Sequence, residues 1–78
     1  MSIGYSFRTV QLNKEADKTR LGVTLGKACI GLGIPVVSIA SKLGVSRQTV
    51  YNWFTGAHDP HESHAKEIAR LISSFKRK

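Results

Sequence analysis

A chain of 78 residues is long enough for one domain with a small hydrophobic core. Its 12 Lys and Arg residues against 5 Asp and Glu give a net charge of +7, which favours a nucleic acid as partner over a membrane surface or an acidic protein. One cysteine excludes an internal disulfide, and the absence of a signal peptide or of ~20 consecutive apolar residues predicts a cytoplasmic protein without a membrane partner.

Residues 1–13 are predicted to form an N-terminal arm. Two sets of side chains alternate along it, as on a short strand: Ile3, Tyr5, Phe7 and Thr9 against Ser6, Arg8 and Val10. A lone strand is not stable, so this segment would pair with a second chain, lie on the helices or stay disordered. Arg8 is its one charged residue before Lys14, so we do not expect a strongly basic tail that wraps a nucleic acid.

The next element is predicted to be a helix from Lys14 to about Leu32, with Asp17 as its N-cap. Apolar residues recur along it at the spacing of one helical face: Leu21, Leu25, Ala28, Cys29 and Leu32. Three glycines weaken this prediction, since each costs on the order of 1 kcal/mol relative to alanine inside a helix. They would also let another helix approach closely. Cys29 lies on the apolar face, which favours a core side chain over a reactive thiol.

Two short helices joined by a tight turn are predicted between Pro35 and Gly56. Their apolar residues recur at steps of three and four, with Val36, Ile39, Ala40 and Leu43 in the first helix and Val50, Trp53 and Phe54 in the second. Gly44 can end the first helix in the left-handed conformation, and Ser46 can cap the second. This is the layout of a helix-turn-helix.

A last helix is predicted from Pro60 to Phe75, because Asp59 is a good N-cap with Glu62 three residues after it. Its apolar face consists of Ala65, Ile68, Leu71, Ile72 and Phe75. The basic tail of residues 76–78 is favourable at a helix C-terminus. The chain is thus expected to be an all-α domain of four helices over residues 14–75, preceded by the arm.

The segment from Val36 to Thr55 resembles the helix-turn-helix of the Cro and phage-repressor family of DNA-binding domains, which is XRE-like and lambda-repressor-like. Small Ala40 stands where the two helices cross, and Gly44 stands at the turn. The apolar core positions of the motif are Ile39, Leu43, Val45, Val50 and Trp53. The likeness covers about residues 20–72 and implies a compact, all-α fold that binds double-stranded DNA.

A recognition helix enters the ~12 Å major groove and projects polar side chains from one face. By resemblance, the base-reading residues are Arg47, Gln48, Tyr51 and Asn52. Ser46 and Thr55 are expected to touch phosphate. Lys42, Lys27 and Ser38 are further candidates for phosphate contact, although an exposed lysine often serves only solubility.

His58, His61 and His64 recur at every third position, but no carboxylate or cysteine completes a metal site. A phosphate contact or a pH-sensitive charge is the preferred interpretation. No Ser/His/Asp or Cys/His arrangement and no phosphate-binding loop supports an enzyme. We therefore expect no metal, no cofactor and no small-molecule substrate.

The sequence predicts a transcriptional regulator that represses by occupying an operator. Because specific affinity usually needs two half-sites about one helical turn apart, a homodimer is expected, through the arm or through Ile68–Phe75. The resemblance suggests a phage or bacterial setting. Two other functions stay open: a phage or mobile-element factor for excision, recombination or packaging, and a cationic inhibitor that binds an acidic host protein.

Overall fold

Five α-helices make up the part of the chain that the computed structural model describes, residues 5–76. They are α1 (Phe7–Glu15), α2 (Leu21–Leu32), α3 (Val36–Leu43), α4 (Arg47–Thr55) and α5 (Glu62–Lys76). Central α2 packs against α4 and α5, while α1 and α3 both pack on α4. The all-helical fold is confirmed. None of these helices has both the length and the apolar composition needed to cross a lipid bilayer.

The N-terminal segment is a helix rather than a strand, so five helices replace the four that were predicted. Ser6 begins α1, because its Oγ accepts a hydrogen bond from the backbone N–H of Thr9 at 3.1 Å. Tyr5 precedes this cap and donates from its hydroxyl to the carbonyl oxygen of Ile34 at 2.6 Å. Ile3 of the predicted strand lies outside the described residues, as do positions 77–78 of the basic tail.

A break at residues 16–20 divides the helix that was predicted to run from Lys14 to Leu32. Asp17 does not cap α2. Its Oδ1 accepts hydrogen bonds from the hydroxyl of Thr19 at 2.7 Å and from the backbone N–H of Thr19 at 2.9 Å. These two bonds lower the pKa of Asp17. They also give the backbone a local alternative to the helix, which explains the interruption.

Two glycines one turn apart on α2 form its contact with α4. A Cβ added to Gly22 would lie 2.8 Å from Cβ of Trp53, and one added to Gly26 would lie 2.9 Å from Cβ of Phe54. Both separations are hard overlaps, so a larger residue would push the two helices apart. The residues that weaken α2 as an isolated helix are therefore the ones that let α4 pack closely on it.

The start of α5 also differs from the prediction, since this helix begins at Glu62 and not at Pro60. Asp59 does not cap it. The Oδ1 atom of Asp59 instead accepts from Nε of Arg20 at 2.8 Å. The backbone N–H of Ser63, which has no partner within the helix, donates a hydrogen bond to Nδ1 of His61 at 3.1 Å. A ring nitrogen therefore caps the start of α5.

The hydrophobic core lies where α2, α4 and α5 meet. Its fully buried side chains come from all three helices and are Val23, Leu25, Cys29, Val50, Phe54 and Ile68. Cys29 is one of them, as expected for a core thiol. Phe54, which could have faced either the core or a partner, is completely buried. The inner side of α4 is therefore fixed by packing, and its outer side faces away from the core.

Candidate nucleic-acid interface

The helix-turn-helix is built by α3, the turn at Gly44 and α4. Gly44 ends α3 with φ of 69°, a left-handed conformation that a residue with a Cβ rarely adopts. Ser46 then begins α4, since its Oγ accepts from the backbone N–H of Thr49 at 3.1 Å. The turn is therefore set by one glycine and one serine.

The predicted core positions of the motif lie where α3 and α4 meet. Those that are buried are Ile39, Ala40, Leu43, Val50 and Trp53. Val45 is half-buried and packs against this core, while Gly44 is exposed at the turn. Trp53 is 3 % exposed and also lies beside His64, with ring centroids 5.8 Å apart. It is therefore enclosed and cannot serve as an open stacking surface for single-stranded nucleic acid.

The four predicted base-reading residues share the outer face of α4. Arg47 and Gln48 are exposed, and Tyr51 and Asn52 are half-buried. At about 100° per residue, the four side chains span roughly 140° of the helix surface. A helix about 10–12 Å across with one such polar face fits the ~12 Å major groove of DNA.

A hydrogen bond links two of these side chains. Nε2 of Gln48 donates to Oδ1 of Asn52 at 3.0 Å, one turn further along α4. The bond leaves Oε1 of Gln48 free as an acceptor and the amide group of Asn52 free as a donor. A donor beside an acceptor is the pattern that complements the major-groove edge of adenine.

The five predicted phosphate-contacting residues are not all equally placed. Ser38 and Lys42 are exposed on α3. Ser46 already caps α4, and the hydroxyl of Thr55 donates to the carbonyl oxygen of Tyr51 at 3.0 Å. A phosphate would have to compete with that internal bond at Thr55.

Lys27 lies on another side of the molecule from the reading face. It lines a cavity of about 370 Å³ between α1 and α2, together with Lys14 and Val10. No side chain of α4 lines this cavity. The structure therefore does not bring Lys27 together with the base-reading residues.

A second cavity joins α1 to the reading face of α4. It has a volume of about 380 Å³, and its walls include Arg8 and Leu12 from α1 and Gln48, Tyr51 and Asn52 from α4. The residues predicted for the site do not include the α1 side, because residues 1–13 were expected to form an arm. The N-cap signal at Ser6 was the one local indication of a helix here.

The three histidines lie on the other flank of α4. His58, His61 and His64 line one cavity of about 360 Å³ with Asp59 and Trp53. Within residues 5–76, no three His, Cys, Asp or Glu side chains are arranged to hold a metal ion.

Arg20 connects the loop before α2 to the end of α4. Its Nη1 donates to the carbonyl oxygen of Gly56 at 2.7 Å, while its Nε donates to Asp59 at 2.8 Å. The hydrogen bond to Asp59 raises the pKa of Arg20. This cation therefore stabilises the C-terminal end of α4.

The fold and this surface define a helix-turn-helix domain whose second helix presents an exposed polar face. A family model described as helix-turn-helix matches residues 25–73, from within α2 to within α5. The chain belongs to this family, which is of the XRE and lambda-repressor type, and it is a DNA-binding regulator. Comparisons with curated proteins and with solved structures gave no significant match. Helix α1 lies outside the matched range.

Proposed function

We propose that this chain represses transcription by occupying an operator, with α4 in the major groove of double-stranded DNA. The observation that carries the proposal is the continuous polar face of α4, positioned by a buried inner face in a chain of net charge +7. The described residues measure 29 × 28 × 23 Å, so one copy covers about eight base pairs at ~3.4 Å each.

The roles of the four reading residues follow from their donors and acceptors. Arg47 can donate hydrogen bonds from both of its terminal nitrogens to guanine, and the linked amides of Gln48 and Asn52 complement adenine. Tyr51 can reach a phosphate or a thymine methyl group. Each good bidentate pair discriminates against a wrong base by about 1–3 kcal/mol.

Contacts to the DNA backbone determine affinity and not sequence preference. Exposed Ser38 and Lys42 on α3 are the best placed of the phosphate candidates, with Ser46 beside them at the start of α4. Each neutralised phosphate contributes about −0.9 to the slope of log affinity against log salt. The proposal therefore requires strong salt dependence together with a retained site preference.

A homodimer completes the proposal, because one recognition helix reads few base pairs. In α5, Ile68 and Ile72 are buried within the protomer, so a contact through this helix would use half-buried Leu71 and Phe75. Sedimentation velocity at micromolar concentration, with and without operator, tests this step. A monomer under both conditions contradicts it.

The test of the reading face compares Arg47→Ala with Arg70→Ala, in which an exposed arginine is removed from α5 instead. Binding is measured over a salt series, both to the DNA site that the parent protein enriches from a random library (the selected site) and to random DNA. Arg47→Ala should lose site preference by about tenfold or more, while Arg70→Ala should retain it. Strong bending of the bound DNA would point to an excision or recombination factor, and binding with no site preference would point to an acidic protein as partner.

A further inference from the structure

Helix α1 packs beside α4 and is joined to it by a buried hydrogen bond. The side chain of Asn13 is 3 % exposed, and its Nδ2 donates to the carbonyl oxygen of Phe54 at 2.7 Å and to that of Val23 at 3.2 Å. Tyr5 anchors the beginning of the segment through its bond to Ile34. These contacts fix the position of α1 against α4, so it is part of the domain and not a mobile arm.

The two cations of α1 lie on opposite flanks of this helix. Arg8 and Lys14 are six residues apart, which places their side chains about 120° apart around the axis. Arg8 lines the cavity shared with the reading face of α4, whereas Lys14 lines the cavity shared with Lys27 of α2. Both side chains are exposed, and neither forms an ion pair with any of the described side chains.

The geometry of a helix in DNA decides what meets Arg8. A helix about 10–12 Å across fills a groove ~12 Å wide, so an element packed alongside that helix faces the sugar–phosphate wall of the groove. The α1 wall of the cavity offers a cation at Arg8 and an apolar side chain at Leu12, which is 39 % exposed. This pairing suits a phosphate next to a deoxyribose.

We infer that α1 is a second DNA-contacting element, in which Arg8 binds a backbone phosphate and Leu12 packs on the adjoining sugar. The inference rests on the proposed insertion of α4 into the major groove, and it extends the DNA-binding surface to a helix outside residues 25–73. The contact is to the backbone, so it adds affinity on all sequences about equally.

The test compares Arg8→Ala with Lys14→Ala, because each variant removes one positive charge from an exposed site on α1. Affinity for the selected site and for random DNA is measured over a salt series, and thermal unfolding verifies that both variants are folded. Arg8→Ala should weaken binding to both DNAs by about 3- to 10-fold and lower the salt slope by about 1. Arg8→Lys should restore most of the loss, and Lys14→Ala should bind almost as the parent does.

Equal losses in Arg8→Ala and Lys14→Ala would show a general charge effect and overturn the inference. So would an unchanged affinity in Arg8→Ala, or a change in oligomeric state in place of a change in DNA affinity. The proposed function fails separately, when the parent protein shows no site preference or when Arg47→Ala leaves that preference intact.

Discussion

Gln48 and Asn52 are joined on the outer face of α4 by a hydrogen bond of 3.0 Å from Nε2 to Oδ1. Each side chain therefore restricts the other before DNA binds, which reduces the conformational entropy lost on binding. The two amides act as one recognition unit with a free acceptor and a free donor. Three other features position α4, and with it this unit: the close contact at the glycines of α2, the hydrogen bond from the amide of Asn13, and the packing of the core.

The linked amides predict non-additive binding. Gln48→Ala and Asn52→Ala should each lower affinity for the selected site by about 1–3 kcal/mol. The double variant should lose less binding free energy than the sum of the two single losses, since either substitution already breaks the pair. The expected difference is at least 0.5 kcal/mol, because coupling between side chains in contact is usually about 0.5–3 kcal/mol. A double-mutant cycle by fluorescence anisotropy measures this difference, and strictly additive losses would show that the two side chains act independently.

The close contact between α2 and α4 predicts that Gly26→Ala destabilises the fold. The new Cβ would lie 2.6 Å from Nδ2 of Asn13 and 2.9 Å from Cβ of Phe54. This overlap costs about 1–3 kcal/mol, of which ~1 kcal/mol is offset by better helix propensity, so the net loss should be up to about 2 kcal/mol. Urea unfolding measures the net change. Gly31→Ala is the control, because nothing lies within 4 Å of its added Cβ, and it should be neutral or stabilising.

The buried amide of Asn13 predicts a large loss of stability in Asn13→Ala. The substitution leaves the carbonyl oxygen of Phe54, at the C-terminal end of α4, without its 2.7 Å donor. The loss of a buried partner costs about 1–3 kcal/mol, and each kcal/mol lowers Tm by about 4–8 °C in a domain of this size. Gln11→Ala, at an exposed position of the same helix, should change Tm by little. Equal melting temperatures for the two variants would be inconsistent with this role.

The buried thiol predicts slow modification of the folded protein. Burial raises the pKa of the Cys29 thiol from the ordinary value of 9.0 to about 12. Folding thus favours the protonated form, and the stability this contributes is fully present below pH 9.0 and is lost as pH rises through about 12. At pH 8, iodoacetamide should label the native protein at least tenfold more slowly than the urea-unfolded protein. Equal labelling rates would mean that the thiol is accessible.

The helix-turn-helix could be predicted from sequence because its signals are local. Gly44 and Ser46 stand four residues or fewer from the backbone groups they affect, and the apolar face of α4 repeats at helical spacing. The same periodicity assigns the outer face, so the amino-acid sequence alone predicts that the four reading residues share one surface. Their contacts with bases remain a prediction.

Helix α1 could not be predicted in the same way, because distant contacts determine it. The buried side chain of α1 is polar Asn13, whose partner Phe54 lies 41 residues away, while apolar Phe7 is 83 % exposed. The spacing of the apolar residues therefore does not indicate this helix. Asp59 likewise looked like a helix cap, but it pairs with Arg20, 39 residues away.

The break between α1 and α2 escaped prediction for a local reason. No glycine or proline stands in residues 16–20, so the usual signals of a helix end are absent. The interruption comes from the side chain of Asp17 bonding back to Thr19. Because Arg8 lies beside the reading face only through the packing of α1, its place beside α4 could not be predicted from the sequence either.

Recognition by α4 is tested most directly by selecting bound duplexes from a random DNA library, with the parent protein and with the Arg47→Ala, Gln48→Ala double variant. We expect the parent to enrich a two-fold symmetric motif whose half-sites lie about 10 base pairs apart. The variant should lose this enrichment while keeping its fold. Enrichment of no motif by the parent, or of the same motif by the variant, would contradict recognition by α4.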